Sequence, residues 1–232
     1  MLTMSTLRAY YEDMSDASVA RVRKPRNRYH HGDLRRALVQ EAVRTIADEG
    51  VERLTLREAG TRLGVSRTAL YRHFSDKSAL LAAVARDGFQ RFRHDLVAAW
   101  SKAPGTQRGF ELMGDAYVRF AVANPGHYQV MFGDYRHLCD KDPDLHTDAV
   151  AAFQALIDAL VSLQAAGLVR RDDPRALAEY IWAIVHGISM LAINGQLGPA
   201  RAVSEHLNDL LHLTFKRMRS GIADPRSPSG KA

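Results

Sequence analysis

A chain of 232 residues, 46% hydrophobic and 25% charged, can bury a sizeable core as one large domain or two modest ones. Its one cysteine, Cys139, excludes an internal disulfide framework and any zinc scaffold built on cysteine. Residues 1–78 hold 15 Lys/Arg against 10 Asp/Glu while residues 79–232 hold 17 against 16, so most of the net +6 sits at the end suited to a polyanion.

Residues 1–28 mix charge, polar residues and a proline with no sustained period and are expected to form a flexible basic leader, densest in charge from Arg21 to Arg28. Such a run suits a solvated tail as well as a nucleic-acid contact. The N-terminus has no apolar run behind a basic start. The longest apolar stretch, Tyr180 to Ile193, is broken by His186 and too short to span a bilayer. Neither an export signal nor a membrane span is expected, and a cytoplasmic location is.

From Tyr29 the pattern turns helical. Asp33 is placed to cap a helix whose apolar face is Leu34, Ala37, Leu38, Ala42 and Ile46, and Gly50 is placed to end it. Thr55-Leu56-Arg57-Glu58 reads as a capping box at the start of a short helix ending near Leu63. Gly64-Val65-Ser66 then supplies a tight turn, with Ser66 capping a second short helix through Phe74. Two short helices joined in this way make a helix-turn-helix.

On the second of them Leu70 and Phe74 lie four residues apart and face the core, so Arg67, Thr68, Tyr71 and Arg72 project outward. That face suits a DNA groove: arginine donates bidentately to guanine, Thr68 and Tyr71 offer hydroxyl and apolar contact, and the small Ala69 permits close approach. His73 and Lys77 sit where they would grip phosphate.

Further helices are expected from Asp76 to about Trp100, Gln107 to Ala123, a short one opened by Asn124-Pro125, about Asp144 to Ala166, one opened by Asp173-Pro174 and one after Gly198-Pro199. The expected class is all-α: a leader (1–28), a three-helix helix-turn-helix domain (29–78), a helical effector-binding and dimerisation domain (79–220) and a flexible tail (221–232). In the last two helices, Leu177, Ile181, Ile184, Ile188 and Leu191, and Val203, Leu207, Leu210, Leu211 and Leu213, exceed one apolar stripe. Helices apolar on more than one side must cover more than their own core, which predicts a homodimer.

From Tyr29 to Leu81, and most sharply from Leu63 to Leu81, the sequence resembles the TetR/AcrR family of repressors, and Tyr29-His30-His31-Gly32-Asp33-Leu34-Arg35 resembles one subgroup. The resemblance implies a ligand-responsive regulator, a repressor released from a palindromic duplex operator by a small molecule, with no cofactor and no membrane partner. It implies backbone anchors at Thr68, Tyr71, His73 and Lys77, base contacts from Arg57, Arg67 and Arg72, and a phosphate contact from the capping Ser66.

Tyr180 to Ser189 resembles the Trp-His-Gly segment of one subgroup's C-terminal domain. Trp182 and His186 lie one turn apart, and Gly187 removes side-chain bulk beside them. This fits either a packed helix crossing with a satisfied core histidine or a partly apolar pocket with a polar handle. His127, Tyr128, Met131, Phe132 and Tyr135 form a second cluster, either core or ligand box. The resemblance sets that region between a sensor cavity and the DNA-binding domain, and makes Tyr128, Met131, Phe132, Trp182 and His186 the ligand-binding candidates.

Other chemistries fail on spacing. Asp140, Asp142 and Asp144 imitate a calcium loop, but Leu145 and Ala151 stand where glycine and the closing glutamate belong. No cluster has metal spacing, and no Ser-His-Asp set or glycine-rich phosphate loop appears, so an enzyme is not expected. A DNA-binding architectural protein without an effector is the other alternative, distinguished by a solid C-terminal core.

Overall fold

Glycines and capping side chains cut the chain into helices close to where the sequence marks them. The computed structural model describes residues 31–197 and 200–223. The leader, the Tyr29-His30 approach, Gly198-Pro199 and residues 224–232 lie outside the described residues. Within them run α1 (His31–Glu49), α2 (Leu56–Arg62), α3 (Arg67–His73), α4 (Lys77–Trp100), α5 (Gln107–Ala123), α6 (Pro125–Phe132), α7 (Pro143–Ala165), α8 (Pro174–Ile193) and α9 (Ala200–Ile222), with 3-10 turns at Val51–Arg53 and Asp134–Leu138. The only extended pairing among the described residues is an isolated bridge between Val169 and Ala223.

Two expected ends move. Helix α1 already runs through His31 to Asp33, so Asp33 lies inside the helix instead of capping its start; one glycine, Gly32, costs too little to stop it. Helix α9 continues to Ile222 because Leu207, Leu211, Phe215, Met218 and Ile222 form one buried stripe, and Ala223 adds the bridge. Residues 221–223, expected in a tail, are therefore part of the fold.

Helices α1 to α3 form the N-terminal unit around Leu38, Ala42, Ile46, Leu54, Leu70 and Phe74. Arg62 ties α2 to α1, reaching Glu49 at 2.6 Å, Thr45 at 3.1 Å and Glu41 at 3.5 Å. Helix α4 crosses the expected boundary at 78/79 unbroken and lies against α1, α5, α6 and α7. Arg86 joins it to α7 through Asp144 at 2.7 Å and Asp148 at 3.0 Å. Asp142, from the imitation calcium loop, caps α7 by accepting the N–H groups of Asp144 and Leu145.

Helix α6 is wedged between the two halves. A Cβ on Gly126 would lie 2.5 Å from the Val43 carbonyl oxygen of α1, and one on Gly88 of α4 would lie 2.5 Å from Met131 Sδ. The approach onto backbone at Gly126 needs glycine, whereas a Cβ on Gly88 would displace the flexible Met131 side chain. Helices α7 and α8 are long and apolar enough to cross a bilayer by length and composition, which the sequence reading did not anticipate. Both pack in the bundle, α7 on α4 and α8 on α5.

Candidate DNA-binding surface and ligand site

The helix-turn-helix is set by local chemistry. Thr55 Oγ1 accepts the Glu58 N–H at 3.1 Å, while the Glu58 carboxylate pairs with Arg62 at 3.5 Å, so the capping box is engaged on the threonine side. Gly64 takes φ +68° and lets Val65 N–H return to the Gly60 carbonyl at 3.0 Å. Ser66 Oγ accepts from Ala69 N–H at 3.2 Å. With Leu70 and Phe74 buried, α3 turns Arg67, Thr68, Tyr71 and Arg72 to solvent.

Tyr71 is 46% exposed, and the Arg67 guanidinium lies 5.6 Å from its ring centroid. Tyr71 therefore does not simply pack inward; the pair forms a planar, cationic surface. Arg57 is exposed on α2, and His73 is half-buried at the end of α3. Lys77 opens α4, its ammonium 3.5 Å from the Glu52 carbonyl oxygen.

In the C-terminal bundle a hydrogen-bond chain runs through three helices. Trp182 Nε1–H of α8 donates to the Tyr117 hydroxyl of α5 at 2.9 Å. The Tyr117 and Tyr128 hydroxyls are 3.0 Å apart, and the Tyr128 hydroxyl is 2.7 Å from His186 Nδ1. Indole only donates, and burial pushes both phenols up, Tyr128 to about 12, so both keep their protons.

The Tyr117 hydroxyl also lies 3.4 Å from His186 Nδ1, so both phenols meet that nitrogen. The half-buried His186 ring ends the chain.

Around this chain the rings meet. Tyr128 and Phe132 have centroids 4.7 Å apart, Phe132 and His186 5.3 Å, Phe132 and Trp182 6.3 Å, and Phe153 and Trp182 5.8 Å. Four of the five ligand candidates thus converge, Tyr128 fully buried and Phe132, Trp182 and His186 half-buried. The fifth, Met131, lies against Gly88 of α4.

In this conformation the rings pack on one another. A separate cleft lined by Gln107, Phe110, Leu163, Leu168, Phe215 and Ile222 offers about 30 Å³, room for little more than water. Gly187 does not relieve bulk beside Trp182 and His186 as expected: a Cβ there meets nothing within 4 Å. Its face of α8 is open.

Sequence reasoning missed Tyr117, the hub of the chain. It also missed the pairing of buried His127 with Asp87, Nε2 to Oδ2 at 2.9 Å. Burial pushes the Asp87 carboxyl up, but the His127 hydrogen bond and Arg91 outweigh it and hold it below its ordinary value.

Burial holds the His186 imidazole below its ordinary range. Unfolded, it takes up a proton that the folded side chain resists, so stability should fall as pH drops below about 6.5. Thermal melts between about pH 8 and pH 5 should show a shallower pH dependence for His186→Gln than for wild type. An identical slope would contradict the assignment.

A solvent-facing recognition helix on a three-helix unit, joined by one long helix to an all-helical bundle, defines the helix-turn-helix class of regulatory proteins. Residues 38–84 match a family model described as bacterial regulatory proteins of the tetR family, and residues 110–214 match one described as a tetracyclin repressor-like C-terminal domain. The chain belongs to the tetR family.

A solved structure of a protein with unknown function from Rhodococcus sp. RHA1 aligns at TM-score 0.73 and 30% identity, covering 85% of this chain and 99% of that one. The tetracycline repressor protein class C of Escherichia coli is 47% identical over 51 residues, 22% of this chain and 23% of its own length. The uncharacterized HTH-type transcriptional regulator Rv0472c of Mycobacterium tuberculosis is 27% identical over 210 residues, 87% of this chain and 84% of its own. The chain spans between 23% and 36% of the length of the curated relatives it matches at the highest identities.

Proposed function

We propose that this protein is a ligand-responsive transcriptional repressor of the cytoplasm that binds a palindromic duplex operator as a homodimer and leaves it when a small molecule enters the C-terminal bundle. The observation that carries the reading is α3: Arg67, Thr68, Tyr71 and Arg72 face solvent together while Leu70 anchors the opposite side. Arg57, Arg67 and Arg72 are the base readers, and Ser66, Thr68, Tyr71, His73 and Lys77 hold the phosphates.

For the homodimer, support comes from the outer faces of α8 and α9. Tyr180, Ile184, Gly187 and Leu191 recur at helical spacing on one side of α8, with Tyr180 51% and Leu191 43% exposed, and Leu213 of α9 is 51% exposed. Two copies joined there would form a four-helix bundle and present two recognition helices to successive major grooves.

The switch runs through α6. A ligand inserting between the rings of Phe132, Trp182 and His186 would meet the half-buried imidazole and would part Tyr128 from His186. Tyr128 and Gly126 share α6, so the movement reaches α1 at Val43. Differential affinity of about 1–3 kcal/mol for the two states releases DNA roughly 5- to 150-fold, and operator DNA weakens the ligand by the same factor.

The test is selection of sites from random duplexes with the purified protein, followed by variants on the selected site. Arg67→Ala or Arg72→Ala should cost about 1–3 kcal/mol and relax preference at one position per half-site, whereas Lys77→Ala should weaken all sequences alike. Selection yielding no two-fold related sequence would overturn the reading. The packed ring cluster favours a second reading, a DNA-binding protein with no effector. A small-molecule screen that never raises the melting temperature or releases DNA would support it.

A further inference from the structure

The turn after α6 makes a second contact with the DNA-binding unit, 83 residues away in sequence: the Tyr135 hydroxyl donates to Glu52 Oε1 at 2.8 Å. Glu52 sits in the Val51–Arg53 turn between α1 and α2, and its backbone carbonyl already receives the Lys77 ammonium at 3.5 Å. One residue thus offers two acceptors, a carbonyl that touches Lys77 and a carboxylate that Tyr135 holds. Among the described residues the Glu52 carboxylate forms no ion pair. The Tyr135 phenol is shifted upward, first by its hydrogen bond to Glu52, as expected for a proton held on a carboxylate.

We infer that Tyr135 is a positioning residue for DNA binding: by holding the Glu52 carboxylate it prevents that charge from swinging onto Lys77, and so leaves the ammonium available to a DNA phosphate. The argument rests on the reading of Lys77 as a phosphate anchor. Without the phenol, a carboxylate one short side chain from the Lys77 ammonium is its strongest local partner, since opposite unit charges near 4 Å outcompete a neutral carbonyl. The captured ammonium no longer displaces counterions from DNA, and the freed carboxylate repels the phosphates. Tyr135 belongs to the C-terminal domain and Glu52 to the N-terminal one, so any movement that pulls the Asp134–Leu138 turn away from Glu52 converts a change in domain contact into a lost phosphate contact.

The experiment is fluorescence anisotropy of the full-length protein on a generic duplex of about 30 base pairs, titrated between about 50 and 200 mM salt. Lys77→Ala, Tyr135→Phe and the double variant Tyr135→Phe with Glu52→Gln are compared with wild type. Each phosphate contact contributes about 0.9 to the slope of log K against log salt, so for each protomer bound Tyr135→Phe should flatten the slope by up to that amount and weaken binding by up to about eightfold at 0.1 M salt. The double variant should recover wild-type slope and affinity, because glutamine brings no charge to Lys77. A merely structural Tyr135 would give a double variant no better than Tyr135→Phe, and that result overturns the inference. So does an unchanged slope in Tyr135→Phe when Lys77→Ala flattens it. An unchanged slope in Lys77→Ala removes the phosphate reading and the inference with it.

Discussion

Replacing Leu191 and Leu213 together by aspartate should give a folded monomer whose affinity for a two-fold DNA site is at least about a hundredfold below that of wild type. Both side chains lie outside the core of the single chain, at 43% and 51% exposed, so the substitutions leave internal packing intact. In a dimer built on α8 and α9 the same positions would bury four carboxylates without partners, which no interface tolerates. Without the partner copy, the second half-site no longer binds at the high effective concentration that linkage provides, a loss of about 10² to 10⁴. Light scattering reads the mass and anisotropy the affinity; a wild type that is monomeric at micromolar concentration would end the proposal. Gly187 offers an independent check. Alanine in a helix interior is better than glycine by about 1 kcal/mol, so Gly187→Ala should stabilise the chain if that face is open and destabilise the dimer if a neighbouring helix backbone lies on it.

The second large effect is expected at Gly126. A Cβ there stands 2.5 Å from a backbone oxygen of α1, and a backbone atom has no rotamer by which to move aside. Gly126→Ala must therefore push α6 off α1 by about 1 Å, and overpacking of this kind costs about 1–3 kcal/mol. For a chain of this size the melting temperature should drop by roughly 2–4 °C per kcal/mol. Stability is the lesser readout. The wedge also moves the helix-turn-helix unit relative to the bundle, so the variant should prefer an operator spacing different from the wild type's when both are offered a series with one base pair added or removed. If spacing preference is unchanged while stability falls, α6 is packing and not a coupling element.

Much of the N-terminal unit was legible because its determinants are local. Gly64, Ser66, Leu70 and Phe74 fall within eleven residues, and turn, cap and burial each depend on near neighbours. Helix starts at Pro125 and Pro174 were equally plain, since proline at the first position marks them, while α7 starts at Pro143, one residue before the expected Asp144. The Trp182 and His186 pairing on one face of α8 was also readable from spacing. What joins them was not: Tyr117 lies 65 residues before Trp182, and its role depends on how α5 crosses α8. The Tyr135 contact with Glu52 and the approach of Gly126 to Val43 are likewise products of packing angle, which helical periodicity does not encode. The open side of Gly187 was misread for the same reason, because a glycine beside a functional pair looks alike whether it faces inward or out.

Helix α4 runs 24 residues without interruption from the DNA-binding unit into the bundle. At 1.5 Å per residue it is a rod about 36 Å long. As a lever pivoted at its far end, it turns a tilt of about 5° into a displacement of about 3 Å at Lys77, close to the 3.4 Å rise of one base pair. The gearing is steep: a rotation small enough to be absorbed by side-chain rearrangement in the bundle is a whole step along the DNA. For the proposed switch, bending stiffness along α4, rather than the size of any movement at the ring cluster, would limit how much of a signal arrives, and a glycine pair placed on its exposed side near Gln90 and Arg91 would dissipate it.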